Sequence, residues 1–482
     1  MLRLSVLLGA LALSGCVNAL LGAESEDRPA ATLLSPIPAL QPSDNPITVD
    51  NRRFETRETR LGAAQHPQIL ETFGGVYSNP KVERTVARIV GRLMTAAPES
   101  TETYRVTLLD SPTVNAFALP GGYLYITRGL LALADDSAEL AAVIAHEMAH
   151  VIADHGLQRQ RRVDAVDIKE RVAGRVMSKD AARVALARDQ LDAASFSRAQ
   201  ELEADRIGTR MMAEAGFDPR AATDFLRAME RYTRYRTGRG GGTLDFLATH
   251  PAAPQRLAEL DALATSLSDR GGTRERDRYL DGIDGMMFGD GKDAGFVRGR
   301  RFLHPALGIT FNVPEGYTLD NESDAVLATG PGDVALRFDT VKAETNDPAA
   351  YLRSGWVVGL ANGTVETVPV NGHAAARGRA FAGGYAFDVT VVRVGTRFYR
   401  FLTAAPPTVA DLPERAQRIA GTFRTLSEAE RTTIQPLKLS VRSRGSARDM
   451  RGVERPKELF DVLNAPRGPA SRGRVKIVTD EE

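Results

Sequence analysis

The stretch ELAAVIAHEMAHVIADHG, residues 139–156, constrains this chain more than any other. From Ala138 to Ala153 it holds no Gly or Pro, and alanines and aliphatics dominate. Apolar residues lie all round the cylinder, which marks a helix buried on every side. Its polar groups fall on one stripe, Glu139, His146, His150 and Asp154, with Glu147 at the edge. Residues four apart stack on one helix face, so His146 and His150 can aim their rings at one point. Burying two imidazoles and a carboxylate costs several kcal/mol unless something compensates.

A metal ion compensates directly. Zinc takes neutral imidazole and, in catalytic sites, commonly has three protein ligands. Glu147 would face the open position, where it can take the proton of an attacking water. The competing reading is a pair of hydrogen-bonded core histidines. Two histidines at this spacing with Glu147 between them, on so apolar a helix, favour zinc, one ion per chain.

The third ligand lies elsewhere. A metzincin would carry Gly at position 153 and His at 156, where this chain has Ala153 and Gly156. His155 reads as a helix-end residue favoured by the macrodipole. The next candidate is QELEADRIGTRMMAEAG, residues 200–216, whose apolar residues show helical spacing. Glu201 and Asp205 share a face there. Glu201 can complete a His, His, Glu set, and Asp205 can orient a ligand from behind. Taken alone this would be an acidic surface helix; beside His-Glu-x-x-His it reads as part of the site.

His-Glu-x-x-His followed some fifty residues later by Glu-x-x-Ala-Asp resembles the HtpX-like and CAAX-prenyl-endopeptidase zinc metallopeptidases of peptidase family M48. NAFALPGGYLYITRGLL, residues 115–131, and ATHPAAPQRL, residues 248–257, are similar to further segments of that family. The resemblance covers about residues 67 to 265. It implies zinc ligands at His146, His150 and Glu201, and a general base at Glu147. It further implies peptide-bond hydrolysis at a membrane, often of misfolded or unassembled proteins. His250, supported by Arg256, is then the expected oxyanion donor; without the resemblance it would be a loop or capping histidine. A substrate strand is expected beside GGYLYIT, with Asn115, Gly121 and Tyr123 at that edge.

Met1-Leu2-Arg3, the apolar run over residues 4–13 and then LSGC resemble a bacterial lipoprotein signal. Cys16 is the single cysteine of 482 residues, so it forms no internal disulfide and stands where lipidation needs it. Val17 rather than Asp follows it, which by the sorting pattern of such lipoproteins implies the outer membrane, facing the periplasm. The rival is an uncleaved membrane helix, since residues 4–23 are nearly continuously apolar.

A net charge of +1 argues against a nucleic-acid partner. The length allows about three domains. The expected division is a signal peptide (1–15), a Pro-rich flexible spacer (16–66) and a mainly α-helical zinc metallopeptidase domain with a small mixed sheet (67–268). A linker (269–300), an α+β domain (301–427) and a small C-terminal module (428–482) follow. Short strands such as GITFNV and RFYRFLTA alternate with turn signals in the α+β domain, whose layout resembles PsbP-like domains. In the tail, LKLSVRS, PKELFDVLN and GRVKIV read as strand, helix, strand, an order similar to a degenerate LysM module. Between Lys438 and Lys476 eleven Lys and Arg stand against four Asp and Glu, which would suit peptidoglycan or lipid headgroups, or a solvated tail.

The expected function is a zinc endopeptidase of the cell envelope, acting on unfolded or misassembled envelope proteins. The alternative is an assembly or chaperone-like binding factor with a self-inhibited site. Two segments bear on this: the charged, Ala-rich stretch between His150 and Glu201, and the glycine run 240–242 ahead of His250. Together they could form a lid, with neutral His250 in the open zinc position at rest.

Overall fold

The computed structural model describes residues 56–97, 104–159, 196–236, 246–251, 254–267, 269, 271–322, 325–342, 345–453, 455–466 and 473–480. Cys16, the charged stretch 160–195 and the glycine run 240–242 lie outside these residues.

The first domain opens with α1 (Arg57–Thr72) and α2 (Pro80–Ala96). The start of α1 lies inside the stretch read as spacer. Tertiary contact explains why it is ordered: Gly62 lies where a Cβ would come 2.5 Å from Tyr123 and Pro120, and His66 Nδ1 is 2.8 Å from the Tyr125 hydroxyl. Three strands follow: β1 (Arg105–Leu109), β2 (Ala116–Leu119) and β3 (Tyr123–Thr127). β3 is central, parallel to β1 and antiparallel to β2, so the sheet is small and mixed as expected.

Next come α3 (Arg128–Leu133), α4 (Ser137–Ile152), α5 (Arg198–Glu214), α6 (Arg220–Arg236), α7 (Phe246–Thr249), α8 (Pro254–Leu267) and α9 (Arg276–Ile283). The long apolar α4 is buried from Ser137 to His150, and Asp136 caps it by accepting from the Glu139 N–H at 2.8 Å. α5 starts on a reciprocal capping box between Ser197 and Gln200. α9 falls in the stretch read as a linker. It is packed instead: Tyr279, Leu280 and Ile283 are fully buried in the same core as α4.

After β4 (Met287–Phe288), the second domain holds β5 (Phe296–Arg298), β6 (Arg301–His304), β7 (Ile309–Asn312), β8 (Thr318–Asn321), β9 (Val326–Gly330), β10 (Val334–Lys342), α10 (Pro348–Leu352), β11 (Glu366–Val370), β12 (His373–Ala382), β13 (Tyr385–Val394), β14 (Arg397–Ala405), α11 (Leu412–Ala420) and β15 (Arg424–Thr425). The order β11-β12-β13-β14-β10-β9-β8 forms one antiparallel sheet, and β15-β7-β6-β5 a second. Phe302, Phe311, Phe338, Phe401 and Phe423 fill the core between them.

The tail adds α12 (Glu428–Thr433), β16 (Leu437–Arg442), α13 (Pro456–Asn464) and β17 (Val475–Thr479). The strand, helix, strand order is as read. The tail is no free-standing module, however: β16 pairs with both β17 and β4, and Leu439, Ile477 and Val478 join the core of the first domain. Part of its basic charge is used internally. Lys476 is fully buried and donates to the carbonyls of Ala132, Leu133 and Ala134 at 2.9, 3.2 and 2.9 Å, satisfying the C-terminal end of α3. Among the described residues, no helix is long and apolar enough to cross a membrane.

Candidate metal centre

α4 and α5 cross at Gly208. A Cβ there would lie 2.9 Å from the His146 backbone nitrogen and 3.0 Å from the Ala145 carbonyl. Only glycine permits so close an approach, and the approach brings Glu201 and Asp205 against the histidines of α4. His250 arrives from the third side, at the end of α7. The Phe246 N–H donates to the Val114 carbonyl at 3.0 Å, and the His250 N–H to the Phe246 carbonyl at 2.9 Å.

His146, His150, Glu201 and His250 are all buried, and each offers a ligand atom within 4.8 Å of the others. His146 Nε2 stands 3.0 Å from His150 Nε2 and 3.3 Å from His250 Nδ1. Glu201 Oε1 is 2.9 Å from His250 Nδ1 and 3.5 Å from His150 Nε2, and Oε2 is 3.5 Å from His146 Nε2. Four ligands about 2.0–2.1 Å from one ion sit about 3.3 Å apart at the corners of a tetrahedron. The cluster has these dimensions and the nitrogen and oxygen donors that zinc accepts. Glu147 Oε1 points the same way: it is buried, has no hydrogen-bond partner, and lies 3.6 Å from His250 Nε2. A buried carboxylate oxygen without a donor asks for one from a molecule held at the cluster.

The candidate ligand side chains are held from behind. His146 Nδ1 lies 2.9 Å from Asp205 Oδ1, and Arg256 grips Asp205 through Nε at 2.6 Å and Nη2 at 2.9 Å. Arg256 Nη1 is also 2.7 Å from Glu201 Oε2 and donates to the His250 carbonyl at 3.2 Å. His150 Nδ1 lies 3.0 Å from His155 Nδ1, whose Nε2 lies 3.3 Å from Glu203. With a metal held at its Nε2, His150 would carry its proton on Nδ1 and donate it to His155. His155 is therefore a buried positioning partner rather than a helix-end residue serving the macrodipole. Sequence reasoning also missed Phe196, stacked on His150 with centroids 3.9 Å apart, and Phe246, stacked on His250 at 4.4 Å. Phe196 opens the run to α5, far from His150 in sequence, whereas Phe246 stands four residues before His250, a helical spacing that could have pointed to it.

Burial dominates the electrostatics. It pushes Glu147 up from the ordinary carboxylate range, and pushes His150 down to about 2. At His146 burial opposes the proton, yet hydrogen bonds to Asp205 and Glu201 raise it to about 9. At Glu201 burial is outweighed by the charge of His250 and by hydrogen bonds from the three histidines, which hold it well below the usual range.

The residues expected to bind substrate are placed differently. β3, within GGYLYIT, has both edges paired, so no further strand can add to it. The edge strand facing the site is β2, whose Ala118 N–H bonds to the Glu147 carboxylate. Tyr123 is buried and takes a hydrogen bond from Arg105 at 2.6 Å; Asn115 is buried and exchanges backbone bonds with the Thr127 hydroxyl. Gly121 is covered by α1, where a Cβ would meet Thr59 Cα at 2.5 Å. Of the three, Gly121 borders a cleft of about 30 Å³ between β2 and His150, with Ala118, Pro120 and Phe196.

Residues 80–264 match the family model described as Peptidase family M48. The chain is 29% identical over 208 residues to "Mitochondrial metalloendopeptidase OMA1" of Schizosaccharomyces pombe, covering 42% of this chain and 60% of that protein. It is 28% identical over 271 residues to "Beta-barrel assembly-enhancing protease" of Yersinia pestis, covering 53% of this chain and 52% of that protein. The matches thus span little more than half the length of these relatives. The family-level resemblance is borne out; these relatives bear the names of other branches than the HtpX-like and prenyl-endopeptidase ones. A solution structure of PsbP from Synechocystis aligns to 28% of this chain and 98% of its own at 15% identity, with a TM-score of 0.21, too low to carry an argument. Residues 80–264 are thus similar to the M48 metallopeptidases, and the His/His/Glu group buried there can hold one zinc ion.

Proposed function

We propose that this chain, with residues 80–264 matched to peptidase family M48, is a zinc-dependent endopeptidase of the bacterial envelope that cuts unfolded or misassembled envelope proteins. The observation that carries the reading is the four-donor cluster with the orphaned Glu147 oxygen beside it. Bound zinc supplies Lewis acidity to the scissile carbonyl and a lowered pKa to a water. Glu147 accepts the water proton at Oε1 and later delivers it to the leaving amine; its raised pKa suits a group that must both take and give. Asp205 fixes the tautomer of His146, and Arg256 fixes Asp205 and Glu201. The polypeptide adds as a strand along the free edge of β2, at the cleft that Gly121 borders. Main-chain pairing tolerates many sequences, as a substrate class of unfolded proteins requires. The printed name of the Yersinia relative, a barrel assembly-enhancing protease, supports envelope proteins as that class. Cys16 would tether the enzyme to the outer membrane; Cys16→Ser should release it from washed membranes, and retention would favour an uncleaved helix instead.

A second reading, an assembly factor with a self-inhibited site, is supported by His250. Its Nδ1 sits within the cluster rather than beside it, so with zinc bound it would be a fourth donor and would close the position that a substrate carbonyl needs. On substrate entry it would turn away and donate to the oxyanion. One comparison separates the readings: wild type, Glu147→Gln and His250→Ala on an unfolded protein, with metal content measured in each. Glu147→Gln should keep zinc and lose cleavage by several orders of magnitude. His250→Ala should raise basal cleavage if closure limits the rate, and lower it if oxyanion donation does. Equal turnover by Glu147→Gln would remove the peptidase mechanism, and unchanged kinetics in His250→Ala would remove both roles of His250.

A further inference from the structure

The free edge of β2 runs out over a cleft. In the antiparallel β2–β3 pair, alternate residues turn their backbone groups away from the partner strand. Ala118 is one of these, since its N–H reaches the Glu147 carboxylate. Its carbonyl turns to the same side, where the N–H of a substrate strand can meet it. Residues 118–121 then form one wall of a cleft of about 30 Å³, and His150, Leu157 and Phe196 stand across it. Because His150 is a candidate zinc ligand, a side chain resting against it belongs to one of the two residues flanking the scissile bond.

The walls set a size. A dry cavity of about 150 Å³ takes a benzene ring, so a fifth of that volume suits one or two heavy atoms, the methyl of alanine or the hydroxymethyl of serine. Most of the walls cannot give. Pro120 is a closed ring. Gly121 has φ +81° and is pressed on α1, where a Cβ would lie 2.5 Å from Thr59 Cα. Phe196 is stacked on His150 with centroids 3.9 Å apart, and His150 is held in turn by His155. Leu157 is only half-buried and closes the outer side. The charged residues that border the cleft besides the histidine, Glu58 and Asp154, are both acids. A lysine or arginine could reach them only by laying a stem of three or four carbons through the cleft, which is more than it holds.

We propose that this cleft is the subsite for a residue flanking the scissile bond, and that it selects alanine or serine there over larger residues, with Leu157 setting its depth. The proposal rests on the peptidase reading and on strand pairing along β2. Selection at one small residue, within a strand otherwise bound through its main chain, suits unfolded proteins as substrates, because alanine and serine are among the commonest residues of any polypeptide.

The zinc-loaded full chain is given unstructured peptides in which the residues on either side of the cut are varied through Gly, Ala, Ser, Leu, Phe and Lys. At one of the two positions kcat/KM should be at least about tenfold higher for Ala and Ser than for Leu, Phe and Lys. Leu157→Ala deepens the cleft and should lower the ratio of Ala to Leu cleavage about tenfold. Gly156→Ala narrows it, since a Cβ there meets Pro120 Cγ at 3.5 Å, an ordinary contact that the fold tolerates. The ratio of Gly to Ala cleavage should then rise severalfold. Should Leu157→Ala unfold, Gly156→Ala decides. Equal rates across the series at both positions, a preference for Leu, Phe or Lys, or ratios unmoved by both substitutions would overturn the proposal. If no peptide is cut, the peptidase reading fails, and the subsite is decided separately by the dissociation constants of the same peptides from zinc-loaded Glu147→Gln chain. Tighter binding of the Ala and Ser peptides than of the Leu, Phe and Lys ones supports it, and a flat series overturns it.

Discussion

His155 shows what a side chain one residue out of register can do. It cannot reach the cluster from the face of α4 that carries His146 and His150. Because α4 ends at Ile152 and Asp154 takes φ +55°, the chain turns and returns His155 beneath His150. There it accepts from Nδ1 and passes the contact on to Glu203. Partners of this kind set the orientation and basicity of a metal-binding imidazole, and losing one typically costs 10–100-fold in metal affinity. His155→Ala should therefore release zinc to a competing chelator about 10–100-fold more readily than wild type, with Glu147 and the donor set intact. A chelator titration unchanged by the substitution would make His155 a packing residue only.

At the scale of elements, the site is a helix crossing. α4 carries two donors and α5 one, and their separation is set by Gly208. Gly208→Ala adds a methyl that must displace the backbone of Ala145 and His146, since no flexible side chain is there to yield. Overpacking of this kind costs about 1–3 kcal/mol. The expected outcome is a lower melting temperature and a metal stoichiometry well below one per chain, because Glu201 moves away with its helix. Wild-type zinc content in a destabilised Gly208→Ala protein would mean that the crossing is not what positions Glu201.

For the whole molecule, part of the acid sensitivity of folding falls to the second domain. His304 ends β6 and is mostly buried; its Nδ1 accepts the Leu307 N–H at 3.3 Å. Burial pushes its pKa from 6.5 down to about 4; Asp293 works against that shift and Arg397 with it. Above pH 6.5 the ring is neutral whether folded or unfolded, so it costs nothing. Below 6.5 the unfolded chain gains a proton that the folded one refuses. Stability is therefore lost as pH falls from 6.5 to about 4, by ~3 kcal/mol at most. Chemical denaturation across this range should show the loss in wild type and its reduction in His304→Gln. An identical pH slope in both would assign the acid sensitivity to other groups.

What the sequence determined is what a single helix can encode. The 3.6-residue repeat put His146 and His150 on one face, the absence of polar relief around them made α4 a buried helix, and four-residue spacing joined Glu201 to Asp205. Alternating apolar runs likewise announced the strands of the second domain. Only tertiary structure decided matters that depend on distant backbone. The pairing of β1 and β2 on either side of β3 closed the strand expected to bind substrate and left β2 as the edge. The packing of α9 and the tail strands into the first core turned a supposed linker and module into parts of one body, because Tyr279, Leu439 and Ile477 gain burial only when all three segments meet. The arrival of His250 from 104 residues beyond His146 is of the same kind. The residues alone read as a loop or capping histidine and only the family resemblance pointed to the site; whether Nδ1 stands inside the cluster or outside it is a question of angstroms that only the fold answers.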